Sequence, residues 1–251
     1  MTFIEREHFV PVPGGQLWSV ESGTGTPLLL FNGGPGCDDY LRPVAHLVND
    51  LCRAIRFEPR GCGRSVWDAN YDLDTLVSDA EAIREFYRFD RCIVAGHSHG
   101  PNVALAYALR YPSQTLGLIA IAGGKIVDDR HWSATYHARL LSLGEDNGGM
   151  KFHADPEVNQ CGNASWREYC RRPGLLRDIA ALDLPCVFIN AAEDIRPNWP
   201  TQQLAELIPR ARYVEIPGAA HYIWLTHAPE LGQELHRAVE YVLADGGQTD
   251  G

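Results

Sequence analysis

Short apolar runs alternate with stretches of helical periodicity along almost the whole chain, and this alternation constrains the fold more than any other feature. The apolar runs have the length of buried strands and fall at residues 28–31, 54–57, 92–95, 116–121, 186–190 and 212–216. Apolar residues at helical spacing predict helices between them, at about 38–50, 74–89, 99–110, 200–208 and 229–243. Strands that alternate with helices form a mostly parallel sheet with helices on both faces, so an α/β fold is predicted.

Two further runs precede the first of these strands. Residues 8–12 and 17–21 are separated by Pro13-Gly14-Gly15, and this spacing predicts a hairpin at the start of the sheet. The chain has 251 residues, of which 45% are hydrophobic. That length and apolar fraction are enough for one large domain with a sizeable core.

One stretch, 125–180, interrupts the alternation because it has no strand pattern. Eight basic and eight acidic side chains balance one another there. We expect an inserted helical cap over 125–180 on an α/β core formed by 1–124 and 181–251. A surface excursion that makes no contact with a substrate is the plainer alternative. The large aromatic residues of the stretch are Trp132, Tyr136, Trp166 and Tyr169.

The charge balance limits the possible partners. The chain has 22 Lys and Arg against 32 Asp and Glu, a formal net charge of −10, and no block of basic residues. Nucleic acid is therefore not expected to bind. The longest apolar stretches, such as 116–122, are far shorter than the roughly 20 residues that span a bilayer, so no membrane partner is expected either.

The seven cysteines are scattered and form neither a Cys-x-x-Cys pair nor a Cys/His cluster at zinc-ligand spacing. This pattern is typical of reduced thiols inside a cell. The first eight residues carry Glu5, Arg6 and Glu7, and they lack the basic and then apolar segments of a signal peptide. We expect a cytoplasmic protein that uses no metal ion.

The most specific motif is Gly96-His97-Ser98-His99-Gly100, which has the form G-x-S-x-G. It follows the apolar run 92–95 and precedes a helical pattern, so its context is strand, sharp turn and helix. Glycines on both sides of such a turn let the strained backbone pack against helix and strand. The motif predicts that Ser98 is a nucleophile at the carboxyl end of the sheet.

A serine hydroxyl needs a histidine base and an orienting carboxylate, which follow it in the order acid and then histidine in this architecture. Asp194 comes just after the strand at 186–190, and His221 lies in a Gly-containing loop just after the last strand. These two residues are the predicted acid and base. The alternatives are His227 and His236 for the base, and Glu193 and Asp128 for the acid.

The transition state of acyl transfer also needs backbone donors for its oxyanion. The segment Phe31-Asn32-Gly33-Gly34-Pro35-Gly36 follows a strand and lets the main chain approach a substrate closely. We expect the amides of Gly34 and His99 to be the oxyanion donors.

These segments together resemble the α/β-hydrolase superfamily. Asn32-Gly33-Gly34-Pro35-Gly36 is similar to the His-Gly-Gly-Pro-Gly motif of the proline iminopeptidase family. Residues 58–65, Glu-Pro-Arg-Gly-Cys-Gly-Arg-Ser, look like the Asp-Gln-Arg-Gly-Cys-Gly-Arg-Ser segment of that family. The resemblance implies a cofactor-free serine hydrolase with Ser98, Asp194 and His221 as its triad, whose relatives remove N-terminal residues, typically proline, from peptides.

The chain also departs from that family. Asn32 replaces the His of the first motif, Glu58 replaces the Asp of the second, and the elbow has His97 and His99 where iminopeptidases typically carry Gly-Gly-Ser-Trp-Gly. The cap is short by the family's standard. It is the cap in which relatives hold the acidic residues that bind the free amine of a substrate.

A peptide or amide with a free N-terminus is therefore the first expected substrate, as a small molecule or short peptide. A small carboxylic ester is the alternative, and a slow-turnover ligand receptor on the same fold is a third possibility. Arginines of the cap, at 167, 171, 172 and 177, would instead favour an anionic substrate. The candidate substrate contacts are Glu145, Asp146, Trp132, Tyr136, Trp166 and Tyr169, and further candidate acids for an amine are Asp155, Glu157, Glu168 and Glu193.

Overall fold

An eight-stranded, mostly parallel sheet forms the centre of the molecule, as the sequence predicts. The computed structural model describes residues 4–126, 130–144, 150 and 152–246. In the sheet the strands stand in the order β1-β2-β4-β3-β5-β6-β7-β8, with β1 and β2 antiparallel to their neighbours and the others parallel. The strands are β1 (Arg6–Val12), β2 (Gly15–Gly23), β3 (Thr26–Phe31), β4 (Cys52–Phe57), β5 (Cys92–His97), β6 (Thr115–Ile121), β7 (Cys186–Ala191) and β8 (Ala211–Ile216).

Most of the predicted helices lie close to their predicted positions. The helices are α1 (Arg42–His46), α2 (Leu73–Phe86), α3 (Gly100–Arg110), α4 (Arg130–Leu143), α5 (Pro156–Cys170), α6 (Leu175–Ala180), α7 (Trp199–Leu207) and α8 (Ala228–Gly246). Within the described residues, none of these helices combines the length and the apolarity needed to cross a bilayer.

The helix predicted over 38–50 is wrong in length, since only the five residues of α1 are helical. The preceding backbone is used elsewhere: the amide of Asp38 donates to the carbonyl of His153 (3.0 Å). Asp39 Oδ1 accepts the amide of Leu41 in a local turn (3.2 Å). Tertiary hydrogen bonds therefore replace the helical ones that the apolar spacing predicts.

The two faces of the sheet bury separate apolar layers, because successive side chains of a strand point to opposite faces. In β3, Leu29 and Phe31 pack in the layer with α2 and α3, whereas Leu28 and Leu30 pack in the layer with α1 and α8. All four are almost fully buried. Each such side chain contributes roughly 1.5–3 kcal/mol to folding.

Three helices, α4, α5 and α6, occupy the stretch between β6 and β7. They contact the rest of the molecule unequally. Trp166 of α5 and Ile179 of α6 are buried in the layer with α2 and α3, whereas α4 buries none of its residues. Cys37 and Ala154 form an isolated antiparallel bridge that connects the segment before α5 to the loop after β3.

Candidate active site

Ser98 occupies a sharp turn between β5 and α3. Its φ of 62° lies in the left-handed region, where a residue other than glycine is strained by about 1–3 kcal/mol. Its amide donates to the carbonyl of Ile121 at the end of β6 (3.0 Å). This is the conformation in which a nucleophile elbow exposes a serine hydroxyl above the sheet.

Three glycines make this turn sterically possible. A Cβ at Gly96 would lie 2.4 Å from the carbonyl carbon of Gly100. A Cβ at Gly100 would lie 2.2 Å from the carbonyl oxygen of Phe31, and one at Gly123 only 1.9 Å from that of Ser98. The glycines of the G-x-S-x-G motif are therefore required by backbone-to-backbone contacts around the elbow.

His221 and Asp194 form a buried pair at the same edge of the sheet. His221 Nδ1 lies 2.5 Å from Asp194 Oδ2. The other oxygen of Asp194 accepts the amide of Arg196 (2.9 Å) and lies 3.4 Å from Arg196 Nη1. Burial raises the pKa of Asp194, but His221 and then Arg196 outweigh burial and hold this pKa below its usual range. The carboxylate is thus ionised and fixes the orientation of the His221 ring.

The alternative acids and bases lie elsewhere. Glu193 is exposed beside the buried Asp194. His227 Nδ1 lies 2.8 Å from the hydroxyl of Thr226, and His236 Nε2 lies 2.9 Å from the carbonyl of Leu47. Asp128 lies outside the described residues.

The loop after β3 holds Gly34, one of the two predicted oxyanion donors, and the elbow after β5 holds the other, His99. Gly34 has a φ of +113°, which glycine adopts readily, and a Cβ there would lie 2.9 Å from Cys37 Sγ. The amide of Gly33 donates to the hydroxyl of Tyr40 (2.7 Å). Within the described residues, the amides of Gly34 and His99 donate to no protein acceptor. Gly34, Ser98 and His99 line the same cavity.

His97, the residue before Ser98, is fully buried in a hydrogen-bonded chain. Its Nε2 lies 3.0 Å from the carbonyl of His221, which can only accept, so Nε2 carries the proton. Its Nδ1 then accepts the hydroxyl of Tyr40 (2.8 Å), which itself accepts the amide of Gly33. Burial, and then His221, hold the pKa of His97 well below its usual range. The neutral ring thus connects the oxyanion loop, the elbow and the loop of His221.

The ring of His99, the residue after Ser98, contacts Trp166 and Asn102. Its centroid is 6.1 Å from that of Trp166, and its Nδ1 lies 3.3 Å from Asn102 Nδ2. Burial, and then the charge of Lys125, lower the pKa of His99 to about 4. The ring is therefore neutral at pH 7, and Trp166 packs against it.

Ser98 opens onto a cavity of about 630 Å³ between the carboxyl edge of the sheet and helices α4 and α5. Trp132 and Tyr136, two of the predicted substrate contacts, line this cavity. Their rings stack with centroids 5.4 Å apart. The indole nitrogen of Trp132 donates to the carbonyl of Pro197 (3.0 Å), which connects α4 to the loop that carries Asp194.

Trp166 and Tyr169, two further predicted contacts, are not among the described residues that line the cavity. Trp166 is only 5% exposed and belongs to the apolar core, and Tyr169 stacks on it with centroids 5.4 Å apart. Glu145 and Asp146 lie outside the described residues.

Sequence reasoning missed three residues near the nucleophile. Tyr40 bonds to Gly33 and His97, while Lys125 and Arg196 line the cavity. Lys125 and Arg196 follow β6 and β7, and ligands of α/β proteins gather at the carboxyl ends of such strands. That position was the signal that could have found them.

The segment 58–65, which resembles iminopeptidases, holds the loop after β4 together. Buried Glu58 accepts hydrogen bonds from the amide, Nε (3.0 Å) and Nη2 (2.7 Å) of Arg64. Arg60 donates from Nε and Nη2 to the two oxygens of Asp79 on α2 (2.7 and 2.9 Å). Ser65 donates to the carbonyl of Glu58. These contacts stabilise the loop beside the site.

The chain belongs to the α/β-hydrolase fold family, whose model matches residues 26–153. Within that family its sequence is similar to proline iminopeptidases, as the motifs predicted. It is 35% identical to that of Saccharolobus solfataricus over 106 residues, 40% of this chain and 34% of the relative. It is 34% identical to that of Neisseria meningitidis over 185 residues, 61% and 58% of the two chains. The chain thus spans less than two thirds of the length of either relative.

Solved structures show the same fold. A thermophilic esterase from Thermogutta terrifontis superposes with a TM-score of 0.75 at 19% identity, covering 94% of this chain and 99% of that one. The carboxylesterase CesB from Bacillus subtilis gives 0.72 at 14% identity, covering 94% and 92%. In the described part of this chain, no three His, Cys, Asp or Glu side chains form a group that could hold a metal ion.

Proposed function

We propose that this protein is a serine hydrolase that cleaves small carboxylic esters through an acyl-enzyme. The observation that carries the proposal is the buried His221–Asp194 pair, 2.5 Å apart, at the sheet edge where strained Ser98 also lies. A hydroxyl on a strained turn and an imidazole oriented by a carboxylate are the parts that nucleophilic acyl transfer needs.

In this mechanism His221 takes the proton of Ser98 Oγ while Oγ attacks the scissile carbonyl carbon. The amides of Gly34 and His99 stabilise the negative oxygen that forms. His221 then gives the proton to the leaving oxygen, so an alcohol departs and an acyl-Ser98 ester remains. Water, deprotonated by His221, hydrolyses this ester and restores Ser98. Asp194 keeps the His221 ring in the orientation that both transfers need.

Aminopeptidase activity, the hypothesis that the sequence favoured first, is the second candidate because of the similarity to proline iminopeptidases. Binding a substrate ammonium next to Ser98 calls for a carboxylate, since an unpaired buried charge costs several kcal/mol. Asp155, Glu157, Glu168 and Glu193 are not among the described lining residues of the cavity, and Asp155 caps α5 instead. An ester without an ammonium group therefore fits the described cavity better.

Two assays test the proposal. A fluorophosphonate probe should label the wild-type protein on one residue, and Ser98→Ala should abolish the label and lower turnover by a factor on the order of 10³ or more. A panel should then compare short-chain esters with prolyl and alanyl arylamides that carry a free or an acetylated N-terminus. We expect ester hydrolysis that depends on Ser98.

Three outcomes would contradict parts of this proposal. Label that persists on Ser98→Ala would move the nucleophile to another residue. Arylamide cleavage that is abolished by N-acetylation would establish the aminopeptidase instead. A single turnover with a retained adduct would favour a receptor on the same fold. The cytoplasmic location, and the absence of nucleic-acid and membrane partners, stay predictions.

A further inference from the structure

The charges that line the cavity of Ser98 are unbalanced. Among the described lining residues the cations are Lys125, Arg167 and Arg196, and the one carboxylate is Asp194. Asp194 lies 2.5 Å from His221 and accepts from Arg196, so it offsets part of the charge of Arg196 but leaves the basic side chains in the majority among these residues. The described wall of the cavity is therefore positively charged.

Two of these cations are positioned by aromatic rings of α4. Lys125 Nζ lies 3.4 Å from the centroid of the Trp132 ring, and Arg196 Cζ lies 5.3 Å from that of Tyr136. Because the two rings stack on each other, they hold both cations along one wall. The amide of Lys125 also donates to Asn102 Oδ1 (3.0 Å), which fixes the start of its side chain.

A second helix contributes the third cation. Asn159, Asn163 and Arg167 follow one another at intervals of four residues on α5, so they share one face of the helix. All three line the cavity, and the side chain of Arg167 is exposed. Asn163 Nδ2 donates to the Asn159 carbonyl (2.9 Å), which orders this face. Amide and guanidinium groups of this kind are suited to binding a carboxylate.

We propose that the substrate of this hydrolase carries a free carboxylate besides its scissile ester, and that Lys125, Arg167 and Arg196 bind that carboxylate. The inference rests on the proposed serine hydrolase function and names its substrate class. Attraction between unlike charges in a partly enclosed cavity favours such an anion. The same charges repel the ammonium group of a peptide N-terminus. One wall therefore favours esters that carry a carboxylate and disfavours peptides with a free N-terminus.

The test compares three esters of matched length: the ethyl ester of hexanoic acid, its ω-amino analogue, and the monoethyl ester of adipic acid. Their tails are neutral, cationic and anionic. We expect kcat/KM to be highest for the adipate monoester, by about 10-fold or more over the neutral ester, mainly through KM. A second pair, phenyl acetate and its para-carboxy derivative, places the carboxylate on the leaving group.

Variants of the wall provide the control. Lys125→Gln and Arg167→Gln should each lower the preference for the anionic over the neutral ester by about 3- to 10-fold. Arg177→Gln is the matched control because Arg177 lies in the same stretch, pairs with Asp178 (3.5 Å) and is not among the lining residues. It should leave the preference unchanged. High salt should weaken the preference in the wild type, since mobile ions screen the charges.

Equal rates for the three ethyl esters and for the two phenyl acetates, or a loss of preference in Arg177→Gln as large as in Arg167→Gln, would overturn the inference. Either result would leave the proposed function intact as long as hydrolysis still depends on Ser98. Failure of every ester, together with loss of fluorophosphonate labelling, would instead overturn the proposed function. The two failures are thus distinguishable in one set of assays.

Discussion

The cavity beside Ser98 has two unlike sides. On the core side, Asp194 lines the cavity, and His97 and His221 lie behind it; all three are at most 5% exposed and hydrogen-bonded. On the cap side, Trp132 and Tyr136 are only half-buried, on a helix that buries none of its residues. Their positions depend on ring stacking and on the hydrogen bond from Trp132 to Pro197.

The two sides differ in what holds their residues in place. Backbone strain at Ser98 and buried hydrogen bonds of His97 and His221 hold the core side in place, and the proposed acyl transfer needs groups that are positioned in this way. Trp132 and Tyr136 on the exposed helix α4 shape the wall and contact Lys125 and Arg196, and we expect that these two rings can change without disturbing the sheet. Substitutions on the core side should therefore change kcat, and those on the cap side should change KM.

The largest expected effect comes from Asp194→Asn. An amide cannot hold the His221 ring in the tautomer that accepts the proton of Ser98, so kcat should fall by a factor on the order of 10³ to 10⁴. Glu193→Gln, the neighbouring exposed position, should change kcat less than about 2-fold. Ester hydrolysis followed under saturating substrate measures both. A fall of equal size in Glu193→Gln would place the acid one residue earlier.

A smaller effect is expected from Tyr40→Phe, which removes one hydroxyl from the core side. The substitution leaves the amide of Gly33 and Nδ1 of His97 without their partner, and a buried unsatisfied group costs about 1–3 kcal/mol. We expect kcat to fall about 10-fold with little change in KM. Tyr111→Phe, at the far end of α3, is the control, because the Tyr111 hydroxyl bonds to none of the described residues. Unchanged kcat in Tyr40→Phe would mean that the chain through His97 does not position the catalytic groups.

Paired tryptophan variants sharpen the comparison on the cap side. Trp132→Leu removes the ring beneath Lys125, so KM for the anionic ester should rise about 3- to 10-fold while the unfolding free energy changes by less than about 1 kcal/mol. Trp166→Leu leaves a void in the core and should lower that free energy by roughly 2–4 kcal/mol. Steady-state kinetics and urea denaturation measure the two. If KM for the anionic ester rose less in Trp132→Leu than in Trp166→Leu, the proposed difference between the core side and the cap side would be wrong.

The smallest expected effect is a dependence of stability on pH. Burial first, and then Lys125, lower the pKa of His99 from 6.5 to about 4 in the folded chain. Below pH 6.5 the unfolded chain binds a proton that the folded one does not, so the unfolding free energy falls as the pH drops towards 4. The slope from this ring is at most about 1.4 kcal/mol per pH unit. Urea denaturation at several pH values should show that the unfolding free energy of His99→Gln changes less with pH than that of the wild type. An equal change with pH would refute the prediction.

Local patterns were sufficient for the sheet and the elbow. The alternation of buried residues in β3 follows from the two-residue period of a strand, which sequence alone reveals. The contact between Gly96 and Gly100 is also local, whereas Gly100 and Gly123 meet Phe31 and Ser98 across neighbouring strands. The choice of His221 over His227 came from its place after the last strand, and the buried pair with Asp194 agrees with it.

The length of α1 and the roles of the aromatic residues depend on contacts between distant segments, so local sequence patterns did not predict them. Asp38 bonds to His153 across the fold, so the predicted helix at 38–50 is confined to α1. Trp132 and Trp166 both occur in the same stretch of sequence and look alike there. Only packing decides that one lines the cavity and the other fills the core.

The sequence by itself determined the class of fold and the order of nucleophile, acid and base, because these depend on periodicity and on turns a few residues long. The tertiary structure alone decided which groups line the cavity beside Ser98. Tyr40, His97 and His221 meet across separations of 57 and 124 residues, and the cations of the wall come from three separate segments. Contacts between distant segments depend on how layers pack, and no local pattern encodes that packing.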